Sequence, residues 1–276
     1  MARGVRQALP EFAKPPVVEV AISVQFDEIS RFQPAYYGRL WERFRAQYPK
    51  TEHKAPLGSV IELFDAKGMP RASLSVEPGM PAGRCWFLSE DELQLIQVQP
   101  DRFVMNWRKL ETDAVYPRYT SLRERFLREL EDFLDFIKDE ELGEFHPLQC
   151  EVTYVNHIFQ GSGWETRADL PKVLTVWSGD TSDDSLPPIE EARLHWQYRM
   201  EEGDAPVGRL HIQLQPAVRT LDRMPLLSLT LIGRGPPPPD GIPGVLAFAD
   251  RAHEWIVRGF TSITTPLMHK IWERTR

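Results

Sequence analysis

The stretch CEVTYVNHIF, Cys150 to Phe159, decides how the chain is read. Its β-branched and aromatic residues alternate with polar ones, the period-two pattern of a half-buried strand. A second stretch, VEVAISVQF from Val18 to Phe26, has the same character, and Glu19-Val20 matches Glu151-Val152. The offset between them is close to half of the 276-residue chain. One unit built twice is therefore the first expectation.

Working outward, residues 17–29 predict a strand, and FQPAYYGRLWERFRAQYP predicts a helix. Tyr37, Leu40, Trp41, Phe44 and Tyr48 recur at helical spacing, Pro34 suits a first turn and Pro49 ends it. Strands are expected at 59–65 (SVIELFD), 71–77, 84–89, 92–99 and 102–110, the last two joined through Pro100-Asp101. A long amphipathic helix follows from Ser121, with Ser121 and Glu124 as a capping box. The second unit opens at Gln149. It continues with a short helix from Leu170 to Trp177 behind Asp169, then strands at 192–200, 208–216 and 224–232. Pro236 to Pro239 and Gly241 make a stiff break before a final helix, about 243–272, which Pro266 should kink or split. The reading is α+β: two tandem β-α-β(n)-α repeats, antiparallel sheets with helices on one face. The order of elements resembles TATA-binding-like and helix-grip duplications, an analogy of topology that carries no function. The division is an N-terminal extension at 1–16, a first repeat at 17–143 and a second at 148–276.

Composition bounds the function classes. A 42% hydrophobic and 26% charged chain with eight Trp, seven Tyr and fourteen Phe has ample material for a core. The formal net charge is −7, which argues against broad nucleic-acid binding while leaving room for a local basic patch. Cys85 and Cys150 lie in apolar strand-like runs and are read as buried free thiols. MARGVRQALPEFAKPP has no apolar signal core, and no window reaches a membrane span of ~18 apolar residues. A cytoplasmic protein without membrane attachment is expected.

Several runs also resemble a known family. VVEVAISVQF, WFLSEDELQLIQVQPDRFVMNWRKL, YPRYTSLRERF, CEVTYVNHI and FTSITTPLMHKIW are similar to a sporadically distributed prokaryotic family of unknown function. The resemblance spans nearly the whole chain, with Gln97, Asn106-Trp107 and Tyr116-Pro117 its more specific signs. It implies a single-chain cytosolic protein and no reaction. Sporadic distribution is compatible with mobile or defence-associated gene neighbourhoods.

No nucleophile elbow, P-loop or dinucleotide fingerprint occurs, so no catalytic residue and no cofactor is assigned. Gly161-Ser162-Gly163 and Gly233-Arg234-Gly235 read as loops. The loop at 178–191 gathers Asp180, Asp183, Asp184, Glu190 and Glu191, but its spacing misses the calcium-loop pattern. It is read as solvated, with no metal. Asn156-His157 at a strand end is read as structural.

The informative surface comes from strand alternation. In ARLHWQYRM, Leu194, Trp196, Tyr198 and Met200 face one way, and Arg193, His195, Gln197 and Arg199 the other. In GRLHIQLQP, Leu210, Ile212 and Leu214 oppose Arg209, His211, Gln213 and Gln215. Pairing around Gly203–Pro206 would bring both polar rows onto one face. For the strand at 92–99, either Gln94, Ile96 and Val98 or Leu93, Leu95, Gln97 and Gln99 face out. A solvated sheet face is the plain reading. The functional one is a binding or assembly protein that uses this face for a protein partner or a homodimer. The competing expectations are a small-ligand protein or enzyme with an apolar cavity between sheet and long helix, and nucleic-acid binding by the doubled sheet.

Overall fold

A computed structural model describes residues 8–64, 83–110, 113–178 and 185–276. The elements run β1 (Val17–Phe26), α1 (Tyr36–Phe44), β2 (Lys50–Lys54), β3 (Arg84–Leu88), β4 (Gln94–Gln99), β5 (Arg102–Arg108) and α2 (Arg118–Asp139). After them come β6 (Pro147–Phe159), a 3-10 turn at Arg167–Asp169, α3 (Leu170–Val173), β7 (Leu194–Glu202), β8 (Ala205–Val218), β9 (Pro225–Gly235), α4 (Ile242–Ile263) and α5 (Pro266–Ile271). Among the described residues, nine strands form a single sheet in the order β2-β3-β4-β5-β1-β6-β9-β8-β7. Every pairing is antiparallel. The two stretches that opened the reading, β1 and β6, lie side by side at its centre.

The helices cover one face. Tyr37, Leu40 and Phe44 of α1, and Leu122, Phe126, Leu130, Phe133 and Ile137 of α2, are buried at three- and four-residue spacing, the stripe that docks a helix. They meet Val20, Ile22, Val24, Phe87, Ile96, Val98, Phe103 and Met105, the alternate strand positions with the same phase. Phe133 alone makes ring contacts with Phe26, Phe32 and Phe103 at 5.3 to 6.2 Å between centroids. On the other half, α4 lays Phe248, Ala249, Ala252, Ile256 and Phe260 over β6, β8 and β9. It sits unusually close. A Cβ on Gly233 would come within 2.7 Å of the Ala252 Cβ, so only glycine fits there. The Arg123 guanidinium of α2 forms a two-point ion pair with Asp250 of α4, at 2.6 and 3.0 Å, joining the two helical covers.

Several expectations change. The strand expected at 59–65 is not in the ladder: residues 55–64 have no regular structure and lie across the sheet. The strand expected at 71–77 lies outside the described residues. KTEHK, Lys50–Lys54, is an edge strand that the sequence does not announce, because an edge with both faces wet needs no apolar alternation. The long helix begins at Arg118, so Ser121 is inside it and the capping box does not form. The capping box instead closes Thr166 onto Asp169 before α3, which is a single turn rather than a helix to Trp177. Gly233-Arg234-Gly235 ends β9 and is no loop. Pro266 does split the last helix, with the Thr265 side chain capping the second piece. Both cysteines are free and buried.

Candidate functional site

Alternation along nine paired strands leaves one broad face without helices. On β7 and β8, His195 lies opposite Gln213, Gln197 opposite His211, and Arg199 opposite Arg209. The polar rows expected from the sequence therefore share this face, with Gln215 continuing along β8 and Arg193 just before β7. On β4 the choice falls on the phase of Leu95, Gln97 and Gln99, since Ile96 and Val98 join the core. The eight candidate residues nonetheless split into two groups. His195, Gln197, Arg199, Gln213 and Gln215 are exposed, as is Arg193. Arg199 pairs with Glu201 and Arg193 with Glu191, both as exposed ion pairs of little energetic weight. Arg209 and His211 are not free surface, because both hold Glu62.

Glu62 belongs to a strap that sequence reasoning mistook for a strand. Residues 57–63 cross the face transverse to the strands, and their contacts progress from β4 through β5, β1 and β6 to β8. Leu57 is gripped from β4, where the Gln99 amide accepts from its N–H at 3.0 Å and donates to its carbonyl at 3.1 Å. The Gly58 carbonyl accepts from Arg102 of β5 at 2.9 Å. Gln25 of β1 accepts from the Val60 N–H at 3.3 Å and donates to the Ser59 hydroxyl at 2.5 Å. Gln149 of β6 accepts from the Glu62 N–H at 2.8 Å and donates to the Val60 carbonyl. The Leu63 carbonyl accepts from Arg209 of β8 at 2.8 Å, and the Arg209 guanidinium lies 4.7 Å from the centre of the Phe64 ring. From β4 to β8 are five interstrand spacings of ~4.8 Å, about 24 Å. Six extended residue steps reach about 20 Å, and glutamine side chains bridge the rest.

The chemistry of this grip is specific in kind. A primary amide offers one acceptor and two donors, so a glutamine can satisfy a backbone N–H and a carbonyl as a neighbouring strand would. Gln25, Gln99 and Gln149 are each at most 6% exposed, and burial without such partners would be costly. Glu62 is the one charged side chain of the strap that the sheet binds, beside the Ser59 hydroxyl held by Gln25. Its carboxylate contacts the Arg209 guanidinium, His211 Nε2 at 2.5 Å and Arg234 Nη1 at 3.7 Å. Burial alone would raise its pKa, but the hydrogen bonds from His211 and Arg209 hold it below the ordinary carboxylate value. The strap's apolar side chains stay partly in solvent. Leu57, Val60, Ile61 and Leu63 are 36% to 52% exposed, so the strap adds little to the core.

A second polar chain crosses the other half of the face. Arg84 donates to Gln97, Gln97 to Asn106, and Asn106 to Glu19, each at 2.7 Å, linking β3, β4, β5 and β1. Burial raises the Glu19 pKa against the lowering effect of Asn106 and Arg108. Beside it, the cationic groups of Lys54, Arg84 and Arg108 surround the Trp86 ring at 4.7 to 5.7 Å.

Neither a family model, nor a curated protein, nor a solved structure matches this chain.

On the helical side, a cavity of about 410 Å³ opens between α2, α4 and the sheet. Tyr116, Tyr154 and His253 form a hydrogen-bonded chain along it, at 2.9 Å from hydroxyl to hydroxyl and 2.9 Å from Tyr154 to His253 Nδ1. His253 stacks flat on Tyr119 with centroids 3.9 Å apart. Burial lowers the His253 pKa to about 4, so the ring is neutral at pH 7. Asn156 also borders the cavity, yet its amide donates to the Leu229 carbonyl at 3.0 Å, the structural role expected of it. Among the described residues no group of three or more His, Cys, Asp or Glu is placed to hold a metal ion. Asp180, Asp183 and Asp184 lie outside those residues. No helix among the described residues is long and apolar enough to cross a membrane.

Proposed function

We propose that this chain is a non-enzymatic binding or assembly protein whose polar sheet face engages a protein partner in the cytosol. One observation carries the reading: three buried glutamines on three strands hold polypeptide backbone across that face. Glutamine side chains that pair with main-chain groups do not depend on the bound side chains, so the device suits polypeptide in general. The exposed rows of His195, Gln197, Arg199, Gln213 and Gln215 extend the surface beyond the strap.

The fold fits a duplicated origin. The first strand of each half pairs with the last of its own half, β1 with β5 and β6 with β9, and the two first strands pair with each other. The offset that aligns Glu19 with Glu151 also sets Ala21 against Thr153, and these two lie directly opposite in the ladder. A doubled unit of this kind gives one wide face with helices behind it. Membership of the sporadically distributed prokaryotic family, and a defence-associated setting, belong to the same proposal. Nucleic acid is a poorer match for the face, because the strap covers its centre and the chain is acidic overall.

A second reading is favoured by the cavity. Its tyrosines and neutral histidine line a space large enough for a small planar molecule. Native mass spectrometry of protein purified gently from its host separates the two. A second polypeptide, or a defined dimer, is the expected result. An added mass of a few hundred daltons on a lone chain would replace the first reading with the second.

A further inference from the structure

Resting on that reading, we infer that the partner binds as an extended peptide carrying a carboxylate side chain, and that residues 57–63 are a resident occupant of its groove. The strap shows what the groove accepts. Main-chain groups at Leu57, Val60 and Glu62 are paired by the amides of Gln99, Gln25 and Gln149. One anionic side chain enters a pocket with two guanidinium groups and an imidazole, Arg209, Arg234 and His211. The bonds to its backbone are indifferent to sequence, and two lesser side-chain contacts accompany them, the Ser59 hydroxyl with Gln25 and the Phe64 ring with Arg209. A foreign segment with an acidic residue at the same spacing would reproduce the backbone bonds and the carboxylate pairing.

The strap is also built to leave. Leu57, Val60, Ile61 and Leu63 are partly exposed and none belongs to the core, so its release gives up little core packing. It belongs to no helix and no strand, so leaving breaks no ladder. A segment that supplied structure would bury these four side chains. Here they stay partly in solvent while the backbone and one carboxylate bond to the sheet. The arrangement is that of a bound peptide that is covalently part of its own receptor. Tethering gives it a high effective concentration, and a free peptide must compete with it.

The test uses the full-length chain and a fluorescein-labelled peptide with this chain's own sequence at 55–64, APLGSVIELF. Anisotropy titrations compare wild type, Glu62→Ala and the isosteric Glu62→Gln, each checked for a native melting transition. Weakening the strap should increase peptide affinity at least tenfold over wild type in either variant. Replacing the peptide's own glutamate by glutamine should reverse that gain. Adding Gln149→Leu to the Glu62 variants should reverse it too. Equal binding to wild type and variants, or indifference to the peptide's carboxylate, overturns the inference. Were it overturned while the native complex still formed and was lost on Gln213→Arg, the partner would use the face in another manner. Were no complex found either, the proposed function would fall with it.

Discussion

Replacing Glu62 by alanine should free the strap while leaving the sheet folded. The variant strands the Arg209 guanidinium without its carboxylate and leaves His211 Nε2 without its hydrogen-bond partner. Breaking one side of a buried ion pair costs about 3 to 5 kcal/mol. Because residues 55–64 lie outside every strand and helix, the cost falls on local opening rather than on global unfolding. At about 1.4 kcal/mol per factor of ten, exchange of the Leu57 and Val60 amides should accelerate at least a hundredfold. Those two amides are bonded by Gln99 and Gln25, so they report the glutamine grip itself. Exchange in β1 and β6 should stay slow. A uniform rise across the sheet would mean that the strap is part of the folding core.

The second large effect concerns pH and a group far from the face. Glu129 of α2 is 1% exposed; the Tyr48 hydroxyl donates to it, and Arg125 Nε lies 3.4 Å away. Its second oxygen has no hydrogen-bond partner among the described residues. Burial raises its pKa to about 7 against the opposing attraction of Arg125. A carboxyl group whose folded pKa lies above its unfolded value, 4.5, penalises the fold as pH rises. Between those values the unfolded chain has already lost the proton that the folded chain keeps. Stability therefore falls with rising pH through this window, opposite to the usual effect of a salt-bridged carboxylate. Glu129→Gln keeps an acceptor for Tyr48 and cannot ionise. From pH 5 to pH 8, urea denaturation should show the variant gaining about 2 to 3 kcal/mol relative to wild type. Parallel pH profiles for the two proteins would contradict the account. Comparing the two proteins cancels the opposite contribution of His253, whose lowered pKa favours the fold as pH rises.

Much of the scaffold was legible because alternation is a physical consequence of the pleat. The polar rows of β7 and β8 pair as their sequences imply, His195 with Gln213 and Arg199 with Arg209. The apolar stripes of α2 and α4 identify the covered face. The strap was not legible, and the reason is instructive. SVIELF has the composition of a strand, but its backbone hydrogen bonds go to glutamine side chains instead of a ladder. Nothing in local periodicity separates those cases. The signals that existed were elsewhere: a lone charge, Glu62, inside an apolar run, and amides at Gln25 and Gln149 in the two central strands. Each is weak alone, and only the strand order brings them to one line across the sheet. The cavity beside His253 was equally hidden, since its lining comes from the N-terminal segment, α2, α4 and three strands.

A polypeptide partner on the polar face would be captured by photo-crosslinking inside the host, with a benzoylphenylalanine placed at Gln213 on that face or at Glu131 on the exposed side of α2. The account predicts a discrete protein adduct from position 213 and none from position 131. Adducts from 131 alone, or no adduct from 213 in cells that contain the folded protein, would contradict it.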